Sequence, residues 1–200
     1  MSNRILIVDF GSQVTQLIAR RVREAGFYSE IIPYNAEPER FENFGASAVI
    51  LSGGPASVLD DEAPRIPASV RTCDLPMLGI CYGQQALMYE TGGSVAKGET
   101  HEFGRADVTV AEDCALFDDL WETGSSNPVW MSHGDTIVHM PKEYKVIAST
   151  EDVNFAAYKI DVNMAKTPQA VYDFLMELWI PSLEMAKQDV KEMQAIANKE

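Results

Sequence analysis

Cysteine is scarce in this chain and basic residues are few. Among 200 residues the three cysteines, Cys73, Cys81 and Cys114, form no CxxC pair. An odd, scattered set argues against a disulfide framework or a zinc site, and it points to a reducing cytoplasm. Cys73 and Cys114 read as inert small side chains, because free cysteine tends to be buried. Lys and Arg number 16 against 30 Asp and Glu, a formal net charge of −14. That balance argues against nucleic-acid binding, which needs cations to neutralise phosphates, and against an anionic membrane surface. No apolar run approaches the roughly 20 residues that cross a bilayer. The stretch after Met1 is too short in apolar residues for a signal peptide.

The apolar residues that are present fall into short, ordered blocks. At 46% hydrophobic and 23% charged, the chain suits one globular domain, or one domain with an appendage. Ile5-Leu-Ile-Val8, Tyr28-Ser-Glu-Ile-Ile32, Ala48-Val-Ile-Leu51 and Met77-Leu-Gly-Ile80 read as strands, and the all-apolar ones suit burial on both faces. Between them Val14, Leu17, Ile18 and Val22 recur at helical spacing until Gly26, and 84–90 looks helical. Strands alternating with helices imply βαβ units. Ala106-Asp-Val-Thr-Val110 and Lys145-Val-Ile-Ala-Ser149 alternate instead, as antiparallel strands with one solvated face do; Trp130-Met-Ser-His-Gly-Asp135 is expected in a loop between them.

Beyond Tyr158, Thr167-Pro168 opens a helical pattern of Val171, Phe174, Leu175, Leu178 and Trp179, which Pro181 ends before a second helix over 183–198. The expected fold is α/β: a doubly wound, mostly parallel sheet with a small antiparallel lobe, then a helical C-terminal tail. The expected division is 1–158 and 159–200.

Gly79-Ile-Cys-Tyr-Gly83 places a cysteine between glycines, after a buried strand and before a helix. Such a strand-to-helix elbow exposes a nucleophile at the carboxyl edge of a sheet, and the glycines leave room for the tight turn. The helix N-terminus is expected to lower the thiol pKa, and the Tyr82 N–H to face a developing oxyanion. Ser52-Gly-Gly-Pro55 is a second glycine loop at a strand end, whose amides suit an oxyanion or a carboxylate. Each string also has a plain structural reading: a cysteine in a core turn, a Gly-Gly-Pro turn, a His-Gly-Asp turn with a solvated aspartate.

Together, Val8-Asp-Phe-Gly-Ser-Gln13, Leu51-Ser-Gly-Gly-Pro55, Leu78-Gly-Ile-Cys-Tyr-Gly-Gln-Gln85, His101-Glu-Phe-Gly-Arg105 and Val129-Trp-Met-Ser-His-Gly-Asp135 resemble the class I, triad-type glutamine amidotransferases. Within them, the likeness is to the amidotransferase domains of glutamine-hydrolysing GMP synthetases, over residues 1 to about 157. The resemblance implies hydrolysis of glutamine to glutamate and ammonia, the ammonia passing to a synthetase that aminates an adenylylated XMP. It implies Cys81 as nucleophile and the amides of Gly54 and Tyr82 as oxyanion hole. Gly53, Gln85, Ser132, His133 and Asp135 are implied to hold the substrate. No cofactor is implied for this chain; ATP and magnesium would belong to its partner, an ATP-pyrophosphatase synthetase subunit.

One part of the family pattern is missing. The base and its carboxylate come there from a strand ending in Gly-Val-Gln-Phe-His-Pro-Glu, shortly after the segment matching Ser149-Thr-Glu to Phe155-Ala-Ala157. This sequence has no His-Pro-Glu, and its last histidine is His139. The resemblance gives His133 to the substrate; His101 belongs to another motif and, like His139, reads as a surface or structural histidine. The expectation is therefore a nucleophile and an oxyanion hole without their base, and a weak or silent glutaminase. Two other readings stand beside it: a glutamine-binding or synthetase-docking remnant without turnover, and a cysteine hydrolase of DJ-1-like type. The segment from about 163 to 200 resembles a helical stretch of the M3 oligopeptidases, yet the chain lacks their His-Glu-x-x-His zinc motif.

Overall fold

The computed structural model describes residues 4–160 apart from residue 119. The helical tail expected over 159–200 therefore lies, from residue 161 on, outside the described residues. Strand β1 (Arg4–Asp9) buries four consecutive residues, and its two-residue period sends them to opposite faces. Ile5 and Ile7 pack with Ala19 and Val22 of helix α1 (Thr15–Glu24). Leu6 and Val8 pack on the other face with Phe10, Val49, Tyr82 and Ala86. Full burial of each such aliphatic side chain contributes about 1.5–3 kcal/mol. This two-sided burial is why the run is apolar throughout rather than alternating.

Strand β2 (Tyr28–Pro33) and helix α2 (Pro38–Glu42) follow, then β3 (Ala48–Leu51), α3 (Ala68–Arg71), β4 (Met77–Gly79) and α4 (Tyr82–Glu90). The strands form a parallel sheet in the order β2-β1-β3-β4. The chain goes from β1 outward to β2, then back across β1 to β3. The β1–β3 seam is therefore a topological switch point, where the strand ends leave a crevice at the carboxyl edge. Among the described residues β4 pairs only with β3, so the strand leading into Cys81 is the sheet's edge. Val14 was expected in the apolar stripe of α1, but it precedes the helix and stands 48% exposed; Thr15, Ala19 and Val22 are the buried residues there.

The antiparallel lobe is longer-stranded than its sequence suggests. Strand β5 (Ser94–Val110) pairs with β6 (Ser126–His139), then with β7 (Tyr144–Ser149), which pairs with β8 (Ala157–Ile160), in the order β6-β5-β7-β8. Its own core gathers Val108, Val110, Phe117, Trp121 and Ile147. Residues 130–135, expected in a loop, lie instead within β6, opposite β5. Local chemistry favours a turn at Ser-His-Gly-Asp, but the backbone partners offered by β5 hold it extended. Pairing passes from Lys97↔Asp135 to Glu102↔His133, so β5 bulges opposite Gly134. Strand β8 runs through the boundary expected at 158/159.

Candidate active site

The elbow is real and strained. Cys81 has φ 48° and ψ −111°, and it is the only non-glycine residue at positive φ among the described residues. Such a conformation costs on the order of 1–3 kcal/mol and persists only where its surroundings enforce it. The two glycines of the motif show how they do so. A Cβ on Gly79 would sit 2.8 Å from Gln84 Cα, and one on Gly83 would strike the Leu51 carbonyl oxygen. Gly83 N–H donates to Ser52 O and Ile80 O, both at 3.0 Å, and Ile80 N–H donates to Leu51 O at 3.0 Å. The first turn of α4 is thus pressed onto the end of β3.

Tyr82 anchors the turn from below. Its side chain is 2% exposed, its ring lies 5.2 Å from that of Phe10, and its hydroxyl donates to Pro64 O at 2.5 Å. Burial pushes the Tyr82 phenol up to about 12. With the side chain committed to packing, the backbone N–H is the polar group Tyr82 can offer a ligand. At the first position of α4 that N–H has no intrahelical acceptor, as an oxyanion donor requires.

Cys81 stands at the surface, yet the atoms packed round its thiol desolvate it and push its pKa up. This runs against the expectation of a lowered thiol pKa: among the described residues, burial is the cause and it acts upward. His139, the one histidine whose side chain is described, is exposed.

The glycine loop after β3 comes to the same place. A Cβ on Gly53 would lie 3.6 Å from Cys81 Cβ and 3.5 Å from Ser12 Oγ, and one on Gly54 would lie 2.5 Å from Phe10 O. Ser52, fully buried, accepts from Phe10 N–H at 3.1 Å and lies 2.9 Å from Gly53 O. It ties the ends of β1 and β3 together at the switch point. Asp9 Oδ1 accepts from Gly11 N–H at 3.0 Å and from Thr15 Oγ1 at 2.8 Å, shaping the turn that carries Ser12.

Gln85 and Asp135 are also brought together. Gln85 Nε2 donates to Asp135 O at 2.9 Å, and Asp135, 9% exposed, accepts from Ser57 Oγ at 2.5 Å. Ser132 and His133 sit on β6 opposite Phe103 and Glu102. Sequence reasoning missed Ser12, Ser52 and Ser57. Ser12 and Ser52 lie inside the quoted motifs, whereas nothing in the local sequence marks Ser57. Among the described residues no group of three or more His, Cys, Asp or Glu is placed to hold a metal. No helix among them is long and apolar enough to cross a membrane.

The likeness to known proteins agrees with this geometry. The family profile for glutamine amidotransferase class-I matches residues 6–164. A GMP synthase (glutamine-hydrolyzing) from Rhodopseudomonas palustris strain BisB18 is 57% identical over 146 residues, 73% of this chain and 27% of the relative. Another from Sinorhizobium fredii is 54% identical over 152 residues, 76% of this chain and 29% of the relative. The chain thus spans little more than a quarter of the length of these curated relatives. Among solved structures, a protein assigned as a GMP synthase subunit from Thermoplasma acidophilum matches with a TM-score of 0.67 at 25% identity, over 92% of this chain and 97% of that one. A glutamine amido transferase from Methylobacillus flagellatus matches in fold, with a TM-score of 0.62 at 20% identity, over 80% of this chain and 67% of that one. The profile covers the elbow, the glycine loop and the Asp135 strand alike, and so the chain belongs to the class-I glutamine amidotransferase family.

Proposed function

We propose that this chain is the glutamine-binding, Cys-nucleophile part of a GMP-synthetase-type amidotransferase, with its proton-transfer machinery incomplete. The observation that carries this reading is the strained Cys81 elbow, set against the Gly53-Gly54 loop at the switch point. In the reaction, Cys81 Sγ bonds to the side-chain carbonyl carbon of glutamine. The N–H groups of Gly54 and Tyr82 take the oxygen's developing charge. The C–N bond then breaks, ammonia leaves, and water hydrolyses the glutamyl thioester. Gly53, Gln85, Ser132, His133 and Asp135 hold the amino-acid end.

Both halves of this sequence need a group that takes the thiol proton and returns it to the leaving nitrogen. A chain with no His-Pro-Glu, whose thiol is pushed up by burial, supplies that step poorly. The same observations favour a second reading, retention of glutamine without turnover. Either way, ammonia chemistry on XMP belongs to an ATP-pyrophosphatase synthetase partner that binds ATP and magnesium, and the setting is cytoplasmic GMP and purine biosynthesis. Likeness to a structure assigned as one subunit of a GMP synthase supports a partner in a second chain. The division at 158/159 belongs to this proposal too.

The test is glutamine-dependent ammonia release by the purified chain beside Cys81→Ala. The expected result is no difference between them, because loss of a triad base costs several orders of magnitude in rate. Clear turnover abolished by Cys81→Ala would show that another group in the chain acts as base.

A further inference from the structure

Resting on the amidotransferase reading, we propose that Ser12 is a further residue of the Cys81 site, donating a hydrogen bond to the carbonyl oxygen that the thiol attacks. The Ser12 hydroxyl is already engaged in the turn after β1. Its oxygen accepts from Val14 N–H at 3.2 Å, and its backbone oxygen accepts from Thr15 Oγ1 at 3.1 Å. Those bonds fix the side chain on the turn after β1, but they use the hydroxyl only as an acceptor. Among the described residues no acceptor takes its proton, although a hydroxyl carries one donor. The proton is therefore available to a ligand.

The gap it faces is set by a missing side chain. The position a Gly53 Cβ would take lies 3.5 Å from Ser12 Oγ and 3.6 Å from Cys81 Cβ. A group bound against Gly53 is thus within reach of both the Ser12 hydroxyl and the Cys81 side chain. Among the described residues no hydrogen bond joins the two side chains, so both can engage such a group. Beside a nucleophile, that group is the reacting carbonyl, and an acceptor oxygen is what an O–H donor needs. Ser12 adds a side-chain donor to the two backbone donors.

The probe is 6-diazo-5-oxo-L-norleucine, whose ketone stands where the glutamine carboxamide carbonyl stands. Cys81 gives its thiol proton to the diazo carbon, the S–C bond forms, the C–N bond breaks and dinitrogen leaves. Labelling is followed by mass spectrometry at increasing probe concentration. Ser12→Ala should lower the maximal labelling rate about tenfold, because the bond to the ketone oxygen aligns the diazo carbon with the thiol. Its half-saturating concentration should change by less than about twofold, and its alkylation by iodoacetamide should match wild type. Ser12→Thr, which keeps the hydroxyl, should recover most of the rate.

Equal maximal rates in wild type and Ser12→Ala overturn the role of Ser12 alone. A change confined to the half-saturating concentration also overturns it, because it moves Ser12 to the amino-acid end. Wild-type labelling that glutamine does not protect overturns the amidotransferase reading itself, and Ser12's role with it.

Discussion

At the scale of single residues, Cys81 sets the terms. Its φ of 48° suits glycine far better than any residue with a Cβ. Replacing the thiol without the Cβ therefore gives a clean comparison: Cys81→Gly should be more stable than Cys81→Ala by about 1–2 kcal/mol in urea denaturation. Equal stabilities would mean that the turn is relaxed in solution. The thiol's chemistry gives a second expectation. Because burial pushes its pKa up, the thiolate fraction keeps growing beyond an ordinary thiol's value of about 8.5. The iodoacetamide reaction rate at Cys81 should still climb between about pH 9 and pH 10. A plateau near neutral pH would reveal an unrecognised cationic partner. That Cys81 lies on an elbow was legible from two flanking glycines and the strand before them. The sign of its pKa shift was not, because helix polarity is written in the local sequence and desolvation depends on what packs around the turn.

At the scale of elements, the two sheets meet through a polar clasp. Ser57, beyond the glycine loop, donates to the Asp135 carboxylate, and Gln85 of α4 donates to the Asp135 carbonyl. Ser57→Ala removes one partner of a nearly buried carboxylate and should cost roughly 1–3 kcal/mol in thermal or urea unfolding. Ser57→Thr, which keeps the hydroxyl, should cost less. An unchanged stability in Ser57→Ala would mean that water replaces the bond without loss. The parallel strands were readable because two-sided burial demands unbroken apolar runs, as in β1. Strand β6 was not, because Ser-His-Gly-Asp carries turn chemistry, and only pairing to β5, a neighbour distant in sequence, keeps it extended.

At the scale of the whole molecule, the groups that shape the elbow lie between Asp9 and Gln85, with Asp135 reaching in from the lobe. The last described strand is tied to the same helix: Tyr158 donates to Gln84 O at 2.7 Å, and Gln84 Nε2 donates to Ala156 O at 3.3 Å. A chain ending at residue 160 should therefore keep its glutamine-protected labelling of Cys81. Loss of labelling would show that residues 161–200 complete the site. The strained elbow also says something about the chain's history. At position 81 glycine is the comfortable residue, so a sequence released from selection gains stability by drifting there, one base change away in the cysteine codon. Cysteine at such a position is a trait that mutation tends to erase. Its presence dates any loss of function as recent, or marks a use for the thiol that outlives turnover.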